Sequence, residues 1–347
     1  MKYGLYTYSD YKGYLNIGDH IQSIAARQYY PHTDVFIEKE NISAYDGEDT
    51  KMILNGWYIR KPESWPPNPC IKPLLTSIHI NSNAANKFLS NKNTVDYLKR
   101  NGPVGCRDMY TKKVLEDKGV EAYYSSCLTL TLNKTIKKTK NTDEVLIVDP
   151  ALRPPKETPL LVLKLVCKGV IFYWLNAGFR RNFKKQHKGY FYFKGIKGLI
   201  KKYFQIGALS KCISKNILLE AKYIKHSFHK SLLETDEERF SYANDLLQRY
   251  ANAKLIITSR IHCALPATSL GTPVVFIDVG YRNFSDSGRI SSMNKFFNNI
   301  RISPEGISND FGLDGNFISS KDEIKTKSEH VKFSNKLKQQ CEEFIKS

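Results

Sequence analysis

The sequence predicts an α/β protein made of two Rossmann-like, doubly wound domains facing each other across a cleft. Three observations carry that expectation. Short apolar runs alternate with amphipathic runs, the pattern of a parallel sheet with helices on its faces. At 347 residues the chain is too long for one ordinary core. A basic, aromatic stretch interrupts the alternation, which then resumes. The expected boundaries are 1–140 for the first domain and 141–320 for the second, with an insertion at about 154–214. A C-terminal helix follows over 321–347.

Taken in order, "KYGLYTY" is a strand and "HIQSIAARQYY" a helix with Ile21, Ile24, Ala25 and Gln28 on one side. "KMILNG" and "KPLLTSIHI" are strands, "AANKFLSNKNTVDYLKRNG" is mainly helical, and "GPVGC" is a short strand. "DMYTKKVLEDKG" is a helix with Asp108 as N-cap and Gly119 as stop signal. "AYYSSCLTLTL" closes the first unit. "TDEVLIVDPA" opens the second with a buried strand. From Pro154 to Ser214 periodicity assigns no elements. Beyond it, "NILLEAKYI" reads as a strand, "TDEERFSYANDLLQRYA" as a helix, "KLIITS" as a strand, "RIHCALPATSL" as a helix and "PVVFID" as a strand. "SEHVKFSNKLKQQCEEFIK" reads as an amphipathic C-terminal helix.

Composition bounds the function. The N-terminus lacks the apolar core of a signal peptide. The most apolar run, Leu160 to Leu175, is too short to span a bilayer and carries Lys164 and Lys168. These features predict a cytoplasmic protein. Seven scattered cysteines with no C-x-x-C pair predict free thiols and argue against zinc. Cys263 beside His262 is a weak nucleophile candidate, because adjacent helix positions point apart. The net charge is +19, and it is local. Between Lys164 and Lys230 there are 16 Lys or Arg and one acid, Glu220, a surplus of 15 (16 less 1).

One corner concentrates chemistry. In "LIITSRIHCALPATSLGTPVVFID", Arg260 follows the end of a strand and His262 sits in the first turn of the next helix. Ligands of open parallel sheets bind outside the carboxyl ends of strands. A helix N-terminus there, capped by Thr258 or Ser259, offers N–H groups to an anion. A guanidinium adds a two-pronged clamp for carboxylate or phosphate. The helix dipole disfavours the imidazolium of His262, so a neutral ring stands ready to relay a proton. The plain alternative is that Arg260 pairs with a nearby acid and His262 fills space.

"ITSRIHCALPATSLGTPVVFI" closely resembles the R-x-H signature of the polysaccharide pyruvyl transferase family. "NIGDHIQSIAARQ", from Asn16, resembles that family's N-x-G-D loop and helix. "GPVGCRDMYTKKVLEDKGV" resembles its Arg-Asp corner before a helix. The resemblance covers roughly residues 10–130 and 235–280. It implies a fold similar to two-domain GT-B glycosyltransferases. The implied reaction moves pyruvate from phosphoenolpyruvate onto two hydroxyls of a sugar, with phosphoenolpyruvate as a substrate and no cofactor or metal. Arg260 and Arg107 match the family's anion-binding positions, with Ser259 beside them. His262 is the first candidate for proton transfer. His79 is the second, expected to project into the same cleft. Asp19 either contacts the acceptor sugar or caps its helix, and Asn16 and Gly18 shape the acceptor loop. Where family members often carry a lysine after a tyrosine, this chain has "DVGYRNFSDSGR", which makes Arg282 and Arg289 the donor-side cations. This reading requires a cationic pocket between two facing sheets. A guanidinium of Arg260 buried on an acid would defeat it.

"FRRNFKKQHKGYFYFKGIKGLIKKYF" mixes cations with aromatics. It reads either as a solvated surface or as a patch for anionic lipid at the inner face of the cell membrane. The latter would suit a lipid-linked oligosaccharide acceptor of a cell-surface polysaccharide. No nucleic-acid motif accompanies the charge, so no nucleic-acid partner is expected. Two rival functions stay open: a nucleotide-sugar glycosyltransferase on the same scaffold, with Asp19 as base, and a non-catalytic membrane- or glycan-binding relative.

Overall fold

The computed structural model describes the chain apart from residues 59, 151, 153, 156, 187–194, 280–290, 314–316, 320 and 321. Its first sheet is built from β1 (Lys2–Thr7), β3 (Val35–Glu38), β4 (Thr50–Tyr58), β5 (Ile71–Ile80), β6 (Val104–Cys106) and β7 (Ala122–Tyr124). The spatial order is β3-β1-β4-β5-β6-β7, and every pairing is parallel. The second sheet comprises β8 (Val145–Val148), β9 (Lys222–Ile224), β11 (Leu255–Thr258), β12 (Val274–Val279), β13 (Asn298–Ser303) and β14 (Gly306–Asn309). Its order is β14-β13-β12-β11-β8-β9, with only the β13–β14 pair antiparallel. Both sheets are Rossmann-like, so the α/β class follows the alternation. A two-stranded ribbon joins the halves: β2 (Tyr14–Asn16) pairs antiparallel with β10 (Ser227–His229).

Alternate strand residues point to opposite faces, and this sorts the cores. Leu5, Ile53, Leu146 and Ile256 enter one apolar cluster that runs through both halves. Their neighbours Tyr6 and Leu54 enter a second cluster, and Ile147 and Ile257 a third. Helix α1 (Ile17–Arg27) sits in the shared cluster through Ile17, Ile21 and Ile24. Fully burying each such side chain contributes about 1.5–3 kcal/mol, which fixes the helix that carries Asp19 and Gln22. The long helical stretch after β5 divides into α2 (Ser82–Ser90) and α3 (Lys92–Arg100), because Asn91 ends one and caps the other. Helix α4 (Met109–Glu116) is capped by Asp108, which accepts from Thr111 N, and Gly119 (φ +69°) follows its end.

The described residues of the basic middle form three helices, α5 (Pro159–Leu175), α6 (Ala177–Gln186) and α7 (Gly195–Cys212). "NILLEAKYI" is not one strand. Its first half is α8 (Lys215–Glu220), started by Ser214, whose side chain accepts from Ile217 N, and only Lys222–Ile224 forms β9. A local cap overrode the apolar run. Helix α9 (Asp236–Asn252) opens on a full capping box between Thr235 and Glu238. Helix α10 (Ile261–Ser269) lies where the sequence placed it, whereas the C-terminal helix α11 (Val331–Lys346) starts later than residue 321 and follows a stretch that is neither helix nor strand.

Candidate active site

Strand ends from both sheets converge on one cleft of about 590 Å³. Among the described residues it is lined by Asn16, Asp19, Trp57, Arg60 and Arg107 from the first half, with Tyr11 at the rim. The second half supplies His226, Arg260, Ile261 and His262. Arg60, Arg107, His226 and Arg260 each follow the carboxyl end of a parallel strand, namely β4, β6, β9 and β11. That is where open α/β sheets bind ligands.

Arg107 is the most constrained of these cations. Its side chain is buried, 1% exposed. Nη1 donates to Gln22 Oε1 at 3.1 Å and to His262 Nε2 at 3.0 Å. Among the described residues its Nε has no hydrogen-bond partner, and no carboxylate forms an ion pair with it. A buried guanidinium without an anion is unfavourable. A guanidinium can only donate, so His262 Nε2 is the acceptor and the ring is neutral in this arrangement, its proton on Nδ1. Gln22 also donates through Nε2 to Asp19 Oδ1 at 3.2 Å, linking the acid to the guanidinium. Desolvation raises the Asp19 carboxyl above its ordinary 3.8, against the opposing pull of Lys39, His20, Arg60 and Arg107.

Arg260 does pair with an acid. Asp149 Oδ2 takes Nε at 3.0 Å and Nη2 at 2.8 Å. The pair is not buried, however: the Arg260 side chain keeps 38% of its surface and lines the cleft. Asp149 holds a left-handed backbone (φ +32°), a strained state for a non-glycine residue of the kind found at functional sites. Neither Thr258 nor Ser259 caps α10. Thr258 Oγ1 instead accepts from Arg260 N at 2.9 Å and donates to Val148 O. Arg260 is itself the cap position and supplies no side-chain cap. The positive end of the α10 dipole faces the cleft beside Arg260, while Cys263 N turns back to Arg260 O at 3.0 Å.

A match to a model of known families spans residues 16–281, "Polysaccharide pyruvyl transferase". The chain belongs to the polysaccharide pyruvyl transferase family. The matched span runs through the basic middle, which the three motifs alone did not reach. No curated protein matches this transferase. A solved structure from Klebsiella pneumoniae subsp. pneumoniae NTUH-K2044, described as a functional uncharacterized protein, is similar at 11% identity. It covers 83% of this chain and 87% of its own, with a TM-score of 0.41.

The transferase brings Asn16, Asp19, Arg107, Arg260 and His262 to one cleft. Asn16, not Asp19, caps α1: its side chain accepts from Gly18 N at 3.3 Å. Gly18 is small because His262 packs on it, and a Cβ there would meet His262 Cβ at 2.8 Å and Nδ1 at 2.9 Å. His79 is not among the residues lining the cleft. It is buried, its Nδ1 2.6 Å from Asp108 Oδ2. Burial pushes the Asp108 carboxyl up, but hydrogen bonding to His79 and the nearby Arg107 outweigh it and hold it low. His79 thus braces the corner that carries Arg107. Ser259 does not line the cleft either, and its Oγ has no partner among the described residues. Arg282 and Arg289 lie outside the described residues. Cys263 is buried and its thiol pushed up to about 12, which removes it as a nucleophile. Among the described residues no group of three or more His, Cys, Asp or Glu is placed to hold a metal ion.

Sequence reasoning missed Arg60, Trp57, His226, Gln22 and Asp149. The run "WYIR" after Gly56 signalled that β4 continues to a cationic end. His226 gave no signal: it sits against Tyr250 OH at 2.6 Å, and burial beside Arg260 pushes it down to about 3.

Proposed function

We propose that this chain transfers the pyruvyl group of phosphoenolpyruvate to two hydroxyls of one sugar in a polysaccharide or its lipid-linked precursor. The observation that carries this reading is Arg107, a buried cation lacking a carboxylate partner among the described residues, beside Arg260 and the start of α10. Three positive features within one cleft suit a small donor bearing a carboxylate and a phosphate. Arg260, at the positive end of the α10 dipole, takes the phosphate, and Arg107 takes the carboxylate. The GT-B-like division into an acceptor half, 1–140, and a donor half, 141–320, belongs to the same reading.

The chemistry balances. The donor's terminal CH₂ gains a proton, both sugar oxygens bond to its second carbon, and inorganic phosphate leaves. One hydroxyl proton is formally passed to the new methyl group and the other to phosphate. When the donor carboxylate draws Nη1 of Arg107 away, Nε2 of His262 is released to accept a hydroxyl proton. Asp19, with its carboxyl held above the usual range, serves as the second base. Arg60 lies 4.7 Å from the Tyr11 ring centre and 5.7 Å from that of Trp57, an aromatic rim suited to the apolar face of a sugar.

Calorimetry with phosphoenolpyruvate and a panel of nucleotide sugars tests the donor. Binding of phosphoenolpyruvate, lost in Arg107→Gln and Arg260→Ala, is the expected result. Binding of a nucleotide sugar alone would replace this reading with glycosyl transfer.

A further inference from the structure

Helix α5 has no polar face. Its buried stripe is Leu161, Leu165, Gly169 and Tyr173, turned onto the second sheet's outer core. Its opposite stripe, at the i, i+3, i+4, i+7 spacing of one helix side, holds Leu160, Leu163, Ile171, Trp174 and Leu175, which are 58–78% exposed. The neighbouring α7 adds Ile196, Leu199 and Ile200 near its start. Half of the exposed large apolar side chains among the described residues, 8 of 16, fall within residues 160–200. A water-facing surface does not explain this, because an isolated surface helix places polar residues outward.

Charge says what covers the face. From Thr158 to Leu219 the sequence has 13 Lys or Arg and no Asp or Glu. Lys164 and Lys168 lie on the exposed apolar stripe itself, and Lys197 lies among the apolar residues of α7. Arg180 sits over the Trp174 ring at 5.4 Å. Long cationic side chains with an aromatic beside an apolar stripe match the boundary between anionic headgroups and acyl chains. Among the described residues no single helix is long and apolar enough to cross a membrane; α5 and the start of α6 reach that length and apolarity only together, and they are bent by 97° at their junction. The two helices are locked as one body: a Cβ on Gly169 would meet Tyr203 O at 1.8 Å, and one on Gly207 would meet Leu165 O at 1.8 Å. From these observations we infer that the α5–α7 face lies in the surface of an anionic lipid bilayer, with its apolar stripe below the headgroups and its cations among them. This inference concerns a surface outside the cleft and does not depend on the donor.

The test is flotation of the full chain with vesicles of phosphatidylcholine alone or with about 30% phosphatidylglycerol, at low and high salt. The wild type is expected to float with the anionic vesicles at low salt and at least tenfold less as salt rises or with neutral vesicles. The double variant Ile171→Glu/Trp174→Glu should lose flotation, while Leu232→Glu, a charge on another exposed leucine, should not. Unchanged melting of each variant shows that the fold is kept. A wild type that stays with the soluble fraction would overturn the inference. So would a dimer in vesicle-free buffer that the double variant abolishes, since that would give the face to a second copy of the chain.

Discussion

The cleft and the α5–α7 face are both cationic, yet their cations are held in opposite ways. In the cleft, Arg107 is buried and bonded to Gln22 and His262, and Arg260 is forked onto Asp149. On the helical face the lysines lie in or near water among exposed apolar side chains. Fixed cations recognise a small anion by geometry, whereas loose ones sum into a field that any anionic surface can meet. Net charge alone does not separate the two, because the larger surplus lies in the helical region and not in the cleft.

The comparison breaks first at Arg107. Arg107→Gln should lower kcat/KM on the order of 10³-fold, roughly 4 kcal/mol, as loss of a fixed donor to a developing charge does. Lys168→Gln on the helical face should leave turnover of a soluble acceptor within about twofold, since exposed charges are screened. Equal losses from both, measured by phosphate release, would erase the distinction.

Next comes the seam of the helical face. Gly207→Ala places a methyl against Leu165 O and should destabilise the fold by about 3 kcal/mol, in the range of overpacked interiors. Denaturant unfolding measures it, and an unchanged midpoint would mean the two helices are not locked.

Smaller is the effect of His226, a neutral histidine in the cationic cleft. Its value falls from the ordinary 6.5 to about 3 because it is buried beside Arg260. Between those values the unfolded chain binds the proton and the folded chain does not. Stability is therefore lost as pH falls below about 6.5, by about 2 kcal/mol from pH 7 to pH 5. His226→Gln should flatten that part of the profile; a slope unchanged in the variant would assign the acid sensitivity elsewhere.

The smallest expected effect is at Gly18. Gly18→Ala presses on His262 and should lower kcat about tenfold with little change in KM for the donor, since Arg260 is not displaced. A raised KM with normal kcat would place His262 in binding and not in proton transfer.

Much of this was legible in the chain. The corner at Arg260 could be read because a strand, an arginine and a helix start are contiguous there. Asp108 as a cap and the capping box at Thr235 are equally local. Arg60 was hidden because Gly56 reads as a strand end while β4 continues to Tyr58. His226 and Asp149 carried no signal, since each gains its meaning from Arg260, far away in sequence. His79 read as a cleft residue because it ends a strand, but its partner Asp108 lies on the next strand's corner and holds it behind Arg107. Helix α5 resisted placement because it is apolar on every side, which leaves no period to read.

The sequence by itself determined the alternation of strands and helices, the family motifs, and a basic segment free of acids. Those are properties of neighbouring residues or of counts, so no folded contact is needed to see them. Only the tertiary structure decided which cations share a cleft, which acid restrains Arg260, and which side of α5 is left uncovered. Such facts depend on strand order and helix packing, where residues more than a hundred positions apart come within hydrogen-bond distance.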